Sequence, residues 1–169
     1  MVWNWRHDGV LYVGRGAIGL LGAPLTAFFS SRQCSGTAIR AAMDWALTQA
    51  HSRQPVVSGF HAPLEQSVLK VLLQARCPAV VVLARPVAGA RLPPEWAEPL
   101  ADGRMAVLSA ATHAGRLTEE LAAHRNACVA QLASQIVVAH ASAGGRLALL
   151  CDGWSAAGRS IRRLTEAAR

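Results

Sequence analysis

Two kinds of apolar pattern alternate along the chain and predict its secondary structure. Apolar positions at helical spacing predict three helices, over residues 37–51, 64–75 and 117–133, and the Gly144-Gly145 pair is expected to open another. Short continuous apolar runs between the helices predict buried strands. The predicted strands are residues 17–22, 55–59, 79–84, 105–109, 135–139 and 160–164.

The order of these elements predicts the fold class. Short strands that are apolar on both faces and alternate with helices are typical of a parallel sheet covered on both sides. We therefore expect one α/β domain over residues 1–169, with three layers and a mainly parallel sheet of five to seven strands. Residues 87–99, rich in proline and glycine, are expected to form a surface excursion with a short helix near Trp96.

Ligands of such folds bind beyond the carboxyl ends of the strands, so the loops that follow strands are the ones to search. In the first of these loops, Ser31, Arg32, Ser35 and Gly36 lead into a helix. Backbone N–H groups at a helix N-terminus lack intrahelical partners and attract anions, and arginine suits phosphate. The alternative is that Ser35 or Thr37 only caps the helix. The loop lacks the G-x-G-x-x-G and G-K-[ST] signatures, which weakens a dinucleotide or Walker-type interpretation.

The second such loop contains Ser58-Gly59, where glycine allows a sharp turn or a close approach of the backbone. Pro63 suits the first position of the next helix. Glu65 could bind a ribose hydroxyl, but it could equally stabilise the start of that helix. His61 is interpreted as a turn residue, because no partner acid or nucleophile for catalysis is identifiable.

Two further segments complete the candidate site. Arg125-Asn126 lies inside the helix predicted over residues 117–133, which Thr118 is expected to cap, and this polar pair could simply be solvated. Gly144-Gly145 follows a predicted strand. Adjacent glycines at a strand-to-helix junction suit phosphate binding or a close backbone approach, with plain turn chemistry as the alternative.

Composition narrows the class of partner. The chain has 169 residues, of which 52% are apolar and 16% charged, and this excludes an intrinsically disordered protein. The net charge is +7, and among 17 basic residues only Lys70 is lysine, so the balance favours phosphate binding through arginine. Aromatic residues make up only 5% of the chain, which argues against extensive base stacking. Trp45, Trp96 and Trp154 are the candidates for stacking, with Trp45 expected in the core instead.

The cysteines and the apolar segments indicate the cellular location of the protein and whether it binds a metal or cofactor. The four cysteines form no CxxC pair, so we expect neither a metal site nor a disulfide framework. Residues 16–29, the longest apolar stretch, contain three glycines and Pro24 and are too short to span a bilayer. The N-terminal residues contain no signal-peptide core. These observations predict a cytoplasmic protein that uses no metal, cofactor or membrane.

The motifs, taken in order, resemble the DNA-processing protein A family (DprA/Smf), within the broader group that includes the LOG phosphoribohydrolases. The family's S-R-x-x-[ST] loop is matched by residues 31–35, and its V-S-G element with a following acidic residue resembles Val57-Ser58-Gly59 and Glu65. Its R-N-x-x-[IV]-A-x-L helix is matched by Arg125-Asn126, Val129-Ala130 and Leu132, and its next strand and glycine turn by residues 136–145. Ala62 and Pro63 replace the usual glycine and arginine before the acidic residue, and Gly145 replaces a serine.

The resemblance, which spans residues 17–164, implies an extended Rossmann-like, doubly wound domain that binds single-stranded DNA or nucleotide phosphates. It also implies a role in DNA uptake and recombination, with a recombinase as protein partner. No catalytic residue is expected. The residues expected to surround the phosphate or nucleic acid are Ser31, Arg32, Ser35, Gly36, Ser58, Gly59, Glu65, Arg125, Asn126, Gly144 and Gly145.

Two other functions remain open at this point. A sensor that binds a free nucleotide without turnover would use the same pocket. A LOG-like phosphoribohydrolase would need the glutamate of P-G-G-x-G-T-x-x-E, and Leu150 stands at that position, so this enzyme is the weaker alternative. A homodimer is expected for such a fold, although no sequence feature fixes the interface.

Overall fold

The computed structural model describes residues 1–165. These residues form one mixed sheet of eight strands, five α-helices and two short 3-10 helices. The strands are β1 (Val2–His7), β2 (Val10–Gly16), β3 (Thr26–Ser30), β4 (Val56–Ser58), β5 (Ala79–Val82), β6 (Met105–Ser109), β7 (Gln135–His140) and β8 (Ile161–Arg163). The α-helices are α1 (Gly36–Ser52), α2 (Pro63–Gln74), α3 (Ala97–Ala101), α4 (Glu119–Leu132) and α5 (Arg146–Ala156). The 3-10 helices are Ile18–Gly22 and Pro94–Trp96.

The strand order is β1-β2-β6-β5-β4-β3-β7-β8, and the six strands from β6 to β8 in that order are parallel. The predicted three-layer, mainly parallel α/β fold is therefore confirmed, with one strand more than the expected maximum. After β3 the chain builds the sheet outward through β4, β5 and β6, and then crosses to β7 on the other side of β3. The crevice between the carboxyl ends of β3 and β7 is thus the topological switch point, where folds of this class bind ligands.

The extra strands come from an N-terminal hairpin that the sequence analysis did not predict. β1 pairs with β2, and β2 pairs with β6, both antiparallel. The turn is Asp8-Gly9, with φ angles of 46° and 79°, as a two-residue type I′ hairpin turn requires. This dipeptide, flanked by alternating half-buried and exposed residues, is the sequence signal that could have identified the hairpin.

One predicted strand is wrong. Residues 17–22 form the 3-10 helix Ile18–Gly22, none of whose residues is buried, and Ile18 is 41% exposed. The first strand of the parallel part is instead β3, in a segment for which no strand was predicted. All five residues of β3 are buried at the centre of the sheet, whereas glycines at positions 19 and 22 weaken a strand. The other predicted helices and strands are confirmed, with small shifts at their ends.

The core lies on both faces of the sheet because successive side chains of a strand point to opposite sides. Phe28 packs against Trp45 of α1, with stacked rings 5.0 Å apart, among residues of α1 and α2. Phe29 faces the other side and packs against Trp154 of α5, with ring centroids 4.8 Å apart, among residues of α4 and α5. Each buried phenylalanine contributes about 1.5–3 kcal/mol. The expectation that Trp45 belongs to the core is confirmed.

The excursion over residues 87–99 is confirmed as a connection with little regular structure, in which Pro94–Trp96 forms a single 3-10 turn before α3. No helix within residues 1–165 combines the length and the apolar character needed to cross a membrane.

Candidate functional site

The loop from β3 to α1 is tied to the loop after β7. The backbone N–H of Ser31 donates to the carbonyl oxygen of His140 at 2.9 Å, and the Ser31 hydroxyl accepts a hydrogen bond from the N–H of Ser142, also at 2.9 Å. Ser35 caps α1, because its hydroxyl accepts the N–H of Ala38 at 3.2 Å. Arg32 and Gly36 are exposed between these fixed points. The predicted capping role of Ser35 is therefore observed, and it leaves the neighbouring N–H groups available to an anion.

The loop after β7 turns tightly into α5 at the same edge. Gly144 has a φ of 72°, in the left-handed region that favours glycine, and Gly145 is the N-cap residue of α5. The N–H of Gly145 donates to the carbonyl oxygen of Ser142 at 3.0 Å. The N-termini of α1 and α5 thus begin in two loops joined by the Ser31–Ser142 bond. Both helix ends carry partial positive charge, so they favour an anion at the switch point.

The loop after β4 is shaped by a buried arginine. The hydroxyl of Ser58, itself fully buried, accepts a hydrogen bond from the N–H of Phe60 at 3.1 Å. A Cβ atom on Gly59 would lie 2.5 Å from Nε of Arg125 and 2.7 Å from its Cδ. Gly59 is therefore the residue that lets the Arg125 side chain, which is only 7% exposed, pass directly against the backbone.

Glu65 joins three segments beneath this edge. One carboxylate oxygen accepts the N–H of Ser30 at 3.0 Å, and the other accepts the N–H groups of His61 and Ala62 at 3.0 and 3.1 Å. The residue is 6% exposed. Burial raises the pKa of the Glu65 carboxyl, while the three N–H donors and the charge of Arg125 oppose that rise. The sequence left two roles open for Glu65. Its hydrogen bonds from the N–H groups of His61 and Ala62 show that it stabilises the start of α2.

Arg125 and Asn126 approach this edge from α4. Nε of Arg125 donates to Oδ1 of Asn126 at 3.2 Å. Burial lowers the pKa of Arg125, and the nearby Glu65 carboxylate raises it. Burial also lowers the pKa of His61, and the charges of Arg125 and Arg32 add to that effect. Two arginines from different segments therefore create a positive potential around His61, which favours its neutral form at pH 7.

The structure brings all the predicted site residues to one edge of the sheet, in four neighbouring segments. Ser31, Arg32, Ser35 and Gly36 follow β3, Ser58, Gly59 and Glu65 follow β4, Gly144 and Gly145 follow β7, and Arg125 and Asn126 belong to α4. Ser58 and Glu65 are buried and organise the backbone. Within residues 1–165 no three histidine, cysteine, aspartate or glutamate side chains converge as a metal site requires.

A groove of about 840 Å³ adjoins this edge beyond the ends of β4 and β5. Gly59, His61 and Arg125 belong to its lining, so the groove opens directly beside the predicted site. Its other lining residues include four that the sequence analysis did not assign to the site: Lys70, Arg85, Arg91 and Trp96. The rule that ligands bind beyond strand ends could have identified Arg85, which stands three positions after β5.

The model of the DNA recombination-mediator protein A family matches residues 5–149. The chain belongs to this family. Its fold is similar to that of DNA processing protein A (DprA) from Streptococcus pneumoniae, with a TM-score of 0.75 and 20% identity, over 94% of this chain and 56% of that one. It is also similar to DNA processing protein A from Helicobacter pylori, a protein with a single-stranded DNA binding mode, with a TM-score of 0.78 and 11% identity.

The second match covers 96% of this chain and 80% of the H. pylori chain. The first match covers 56% of the S. pneumoniae chain, so this chain spans little more than half the length of that protein. Comparison with curated protein sequences finds no match. The family assignment and the predicted Rossmann-like fold are confirmed by these similarities.

Proposed function

We propose that this family member binds single-stranded DNA, with the sugar-phosphate backbone lying along the edge formed by the loops after β3, β4 and β7. The observation that carries the proposal is the Ser31–Ser142 hydrogen bond of 2.9 Å, which joins the loops that lead into α1 and α5 at the switch point. Two helices that begin from joined loops direct their N–H groups toward the same edge of the sheet, and this favours more than one negative charge there, as a polynucleotide presents. The DNA-binding relative from H. pylori shares this fold and supports the choice of ligand.

In this proposal an exposed arginine and a buried arginine have different roles in binding the strand. Arg32 is exposed in the loop before α1 and has no ion pair with an acidic side chain among residues 1–165. It is therefore the arginine that supplies a direct, sequence-independent phosphate contact. Arg125 is buried and held by Asn126, so it contributes a fixed positive charge and shapes the loop at Gly59.

The biological setting is part of the same proposal. The family is named for recombination mediation, which supports action in recombination with a recombinase as partner. A role in DNA uptake belongs to the same proposal. We further propose that the protein is cytoplasmic and forms a homodimer. The alternatives are a sensor for a free nucleotide and a phosphoribohydrolase. The sensor would use the same helix N-termini, and it is distinguished by preferring a mononucleotide to a strand.

The test is fluorescence anisotropy with a labelled single strand at several salt concentrations. Arg32→Gln should weaken binding to all sequences alike and reduce the slope of log affinity against log salt by about 0.7, the counterions released by one single-strand phosphate contact. Arg53→Gln is the matched control, because Arg53 ends α1 at the opposite edge of the sheet. An unchanged salt slope in Arg32→Gln, or mononucleotides that compete as well as strands, would overturn the proposal.

A further inference from the structure

Hydrogen bonds on both backbone groups of His61 fix the position of this residue. Its N–H donates to the Glu65 carboxylate at 3.0 Å, and its carbonyl oxygen accepts a hydrogen bond from Nε2 of Gln66 at 3.1 Å. The preceding residue, Phe60, is buried and has a φ of 46°, so the chain turns sharply just before His61. Among residues 1–165 no group hydrogen-bonds to the exposed imidazole of His61, so both of its ring nitrogen atoms are available to a ligand.

The charges around this imidazole come from several elements. Burial lowers the pKa of His61, and the positive charges of Arg125 in α4 and of Arg32 in the loop after β3 lower it further. The Glu65 carboxylate of α2 is buried and accepts the backbone N–H of His61. The remaining charged residues of the groove lining, within the described chain, are Lys70, Arg85, Arg91 and Glu95. The imidazole thus faces an excess of positive charge, which keeps it neutral at pH 7 in the free protein.

A phosphate bound at this edge reverses the balance of charge at His61. The charges of Arg32 and Arg125 both reach the imidazole, so a phosphate held by Arg32 also acts on it, with the opposite sign. An anion within about 4–6 Å favours the protonated form of a histidine. A protonated imidazole donates from both nitrogen atoms, and a charged donor makes a stronger hydrogen bond to phosphate than a neutral one. The ring that disfavours a proton in the free protein therefore favours one in the complex.

We propose that binding of single-stranded DNA is coupled to the uptake of one proton by His61, which then donates a hydrogen bond to a phosphate of the strand. The inference rests on the proposed function, because the phosphate must lie at the edge beside Arg32. Linkage requires the affinity to rise as the pH falls, since low pH supplies the proton that the complex holds. An opposite charge raises the pKa of a histidine by about 1–3 units, so the strand should bind about 3- to 100-fold more tightly at pH 5.5 than at pH 8.

Titration calorimetry with an oligothymidine strand counts the protons. Measurements in buffers of different ionisation enthalpy are compared, because each proton drawn from the buffer adds that enthalpy to the observed heat. Near pH 6.5 the unmodified protein should take up about 0.4–0.9 proton per bound molecule. His61→Gln should remove this uptake and flatten the dependence of affinity on pH. His51→Gln is the matched control and should retain both, because His51 is an exposed histidine in the last turn of α1, at the opposite edge of the sheet.

An NMR titration of the imidazole C–H signals provides a direct measurement. The signals of His61 are identified by their loss in His61→Gln, and their midpoint should move to higher pH when the strand is bound. Equal affinity at pH 5.5 and pH 8, proton uptake that persists in His61→Gln, or an unmoved midpoint would overturn this inference and leave the proposed function intact. Failure of the strand to bind at any pH would overturn the proposed function and the inference together.

Discussion

The substitution Gly59→Ala tests whether the backbone at Gly59 packs directly against the side chain of Arg125. The new Cβ would lie 2.5–2.8 Å from three atoms of the Arg125 side chain, closer than nonbonded carbon and nitrogen atoms approach. That side chain is only 7% exposed, so it cannot simply swing into solvent. Overpacking of this kind costs about 1–3 kcal/mol, partly offset by about 0.4–1 kcal/mol from the reduced entropy of the unfolded chain.

A double-mutant cycle by urea denaturation separates these contributions. Arg125→Ala removes the atoms that the new methyl group would meet, so Gly59→Ala in that background should lose its steric cost and keep only its entropic gain. The coupling energy should therefore be about 1–3 kcal/mol. Gly115→Ala, where a Cβ meets nothing within 4 Å, is the control and should be neutral or slightly stabilising. Additivity of the two substitutions within about 0.5 kcal/mol would refute the close packing of Gly59 and Arg125.

Three further outcomes are expected. Glu65→Gln should lower the free energy of unfolding by about 1–3 kcal/mol in urea titrations, because its NH₂ group must face the N–H of Ser30 or those of His61 and Ala62; an unchanged urea midpoint would contradict this. The folded state lowers the pKa of His61 from 6.5, so the unfolded chain binds the proton first and the free energy of unfolding should fall as pH drops below 6.5. The free energy of unfolding of His61→Gln should fall less steeply over the same pH range. Under native conditions Cys34 should react fastest with a thiol reagent and Cys34→Ser should abolish that phase, because Cys77, Cys128 and Cys151 are buried, and burial raises the pKa of Cys77 to about 11.

The sequence predicts the parallel core well because its strands are buried on both faces and its helices have one apolar side. Periodicity therefore identifies α1, α2 and α4. The expectation that ligands bind beyond the carboxyl ends of the strands identifies the candidate phosphate-binding residues. The pattern misplaces β3 because residues 17–22 and 26–30 are both short apolar runs. Gly19 and Gly22 weaken the first run as a strand, and tertiary packing buries the second at the centre of the sheet. The hairpin is missed because most of its residues are half-buried or exposed and form no continuous apolar run, and because its signal lies in Asp8-Gly9.

The details of the site depend on long-range contacts that a linear pattern does not contain. Gly59 and Arg125 are far apart in sequence, and their contact explains the glycine only when α4 is seen against the loop. Likewise, Glu65 reaches back to Ser30 across α1 and β4. The groove at Trp96 arises from the excursion folding over α2, which composition identifies only as an irregular surface segment.

The N-terminal hairpin determines how the sheet ends on that side. All five residues of β6 are buried. β2 pairs with β6 and so provides hydrogen-bond partners for backbone groups that would otherwise be unpaired. The outermost strand is then β1, where Val2, Asn4 and Arg6 are exposed in alternation with half-buried residues. An arginine on the outermost strand discourages edge-to-edge pairing with another chain. Residues 2–16 therefore cover the edge of the parallel sheet and leave a charged strand outermost, whereas the buried Tyr12 and the closely packed Gly14 and Gly16 restrict substitution within the hairpin itself.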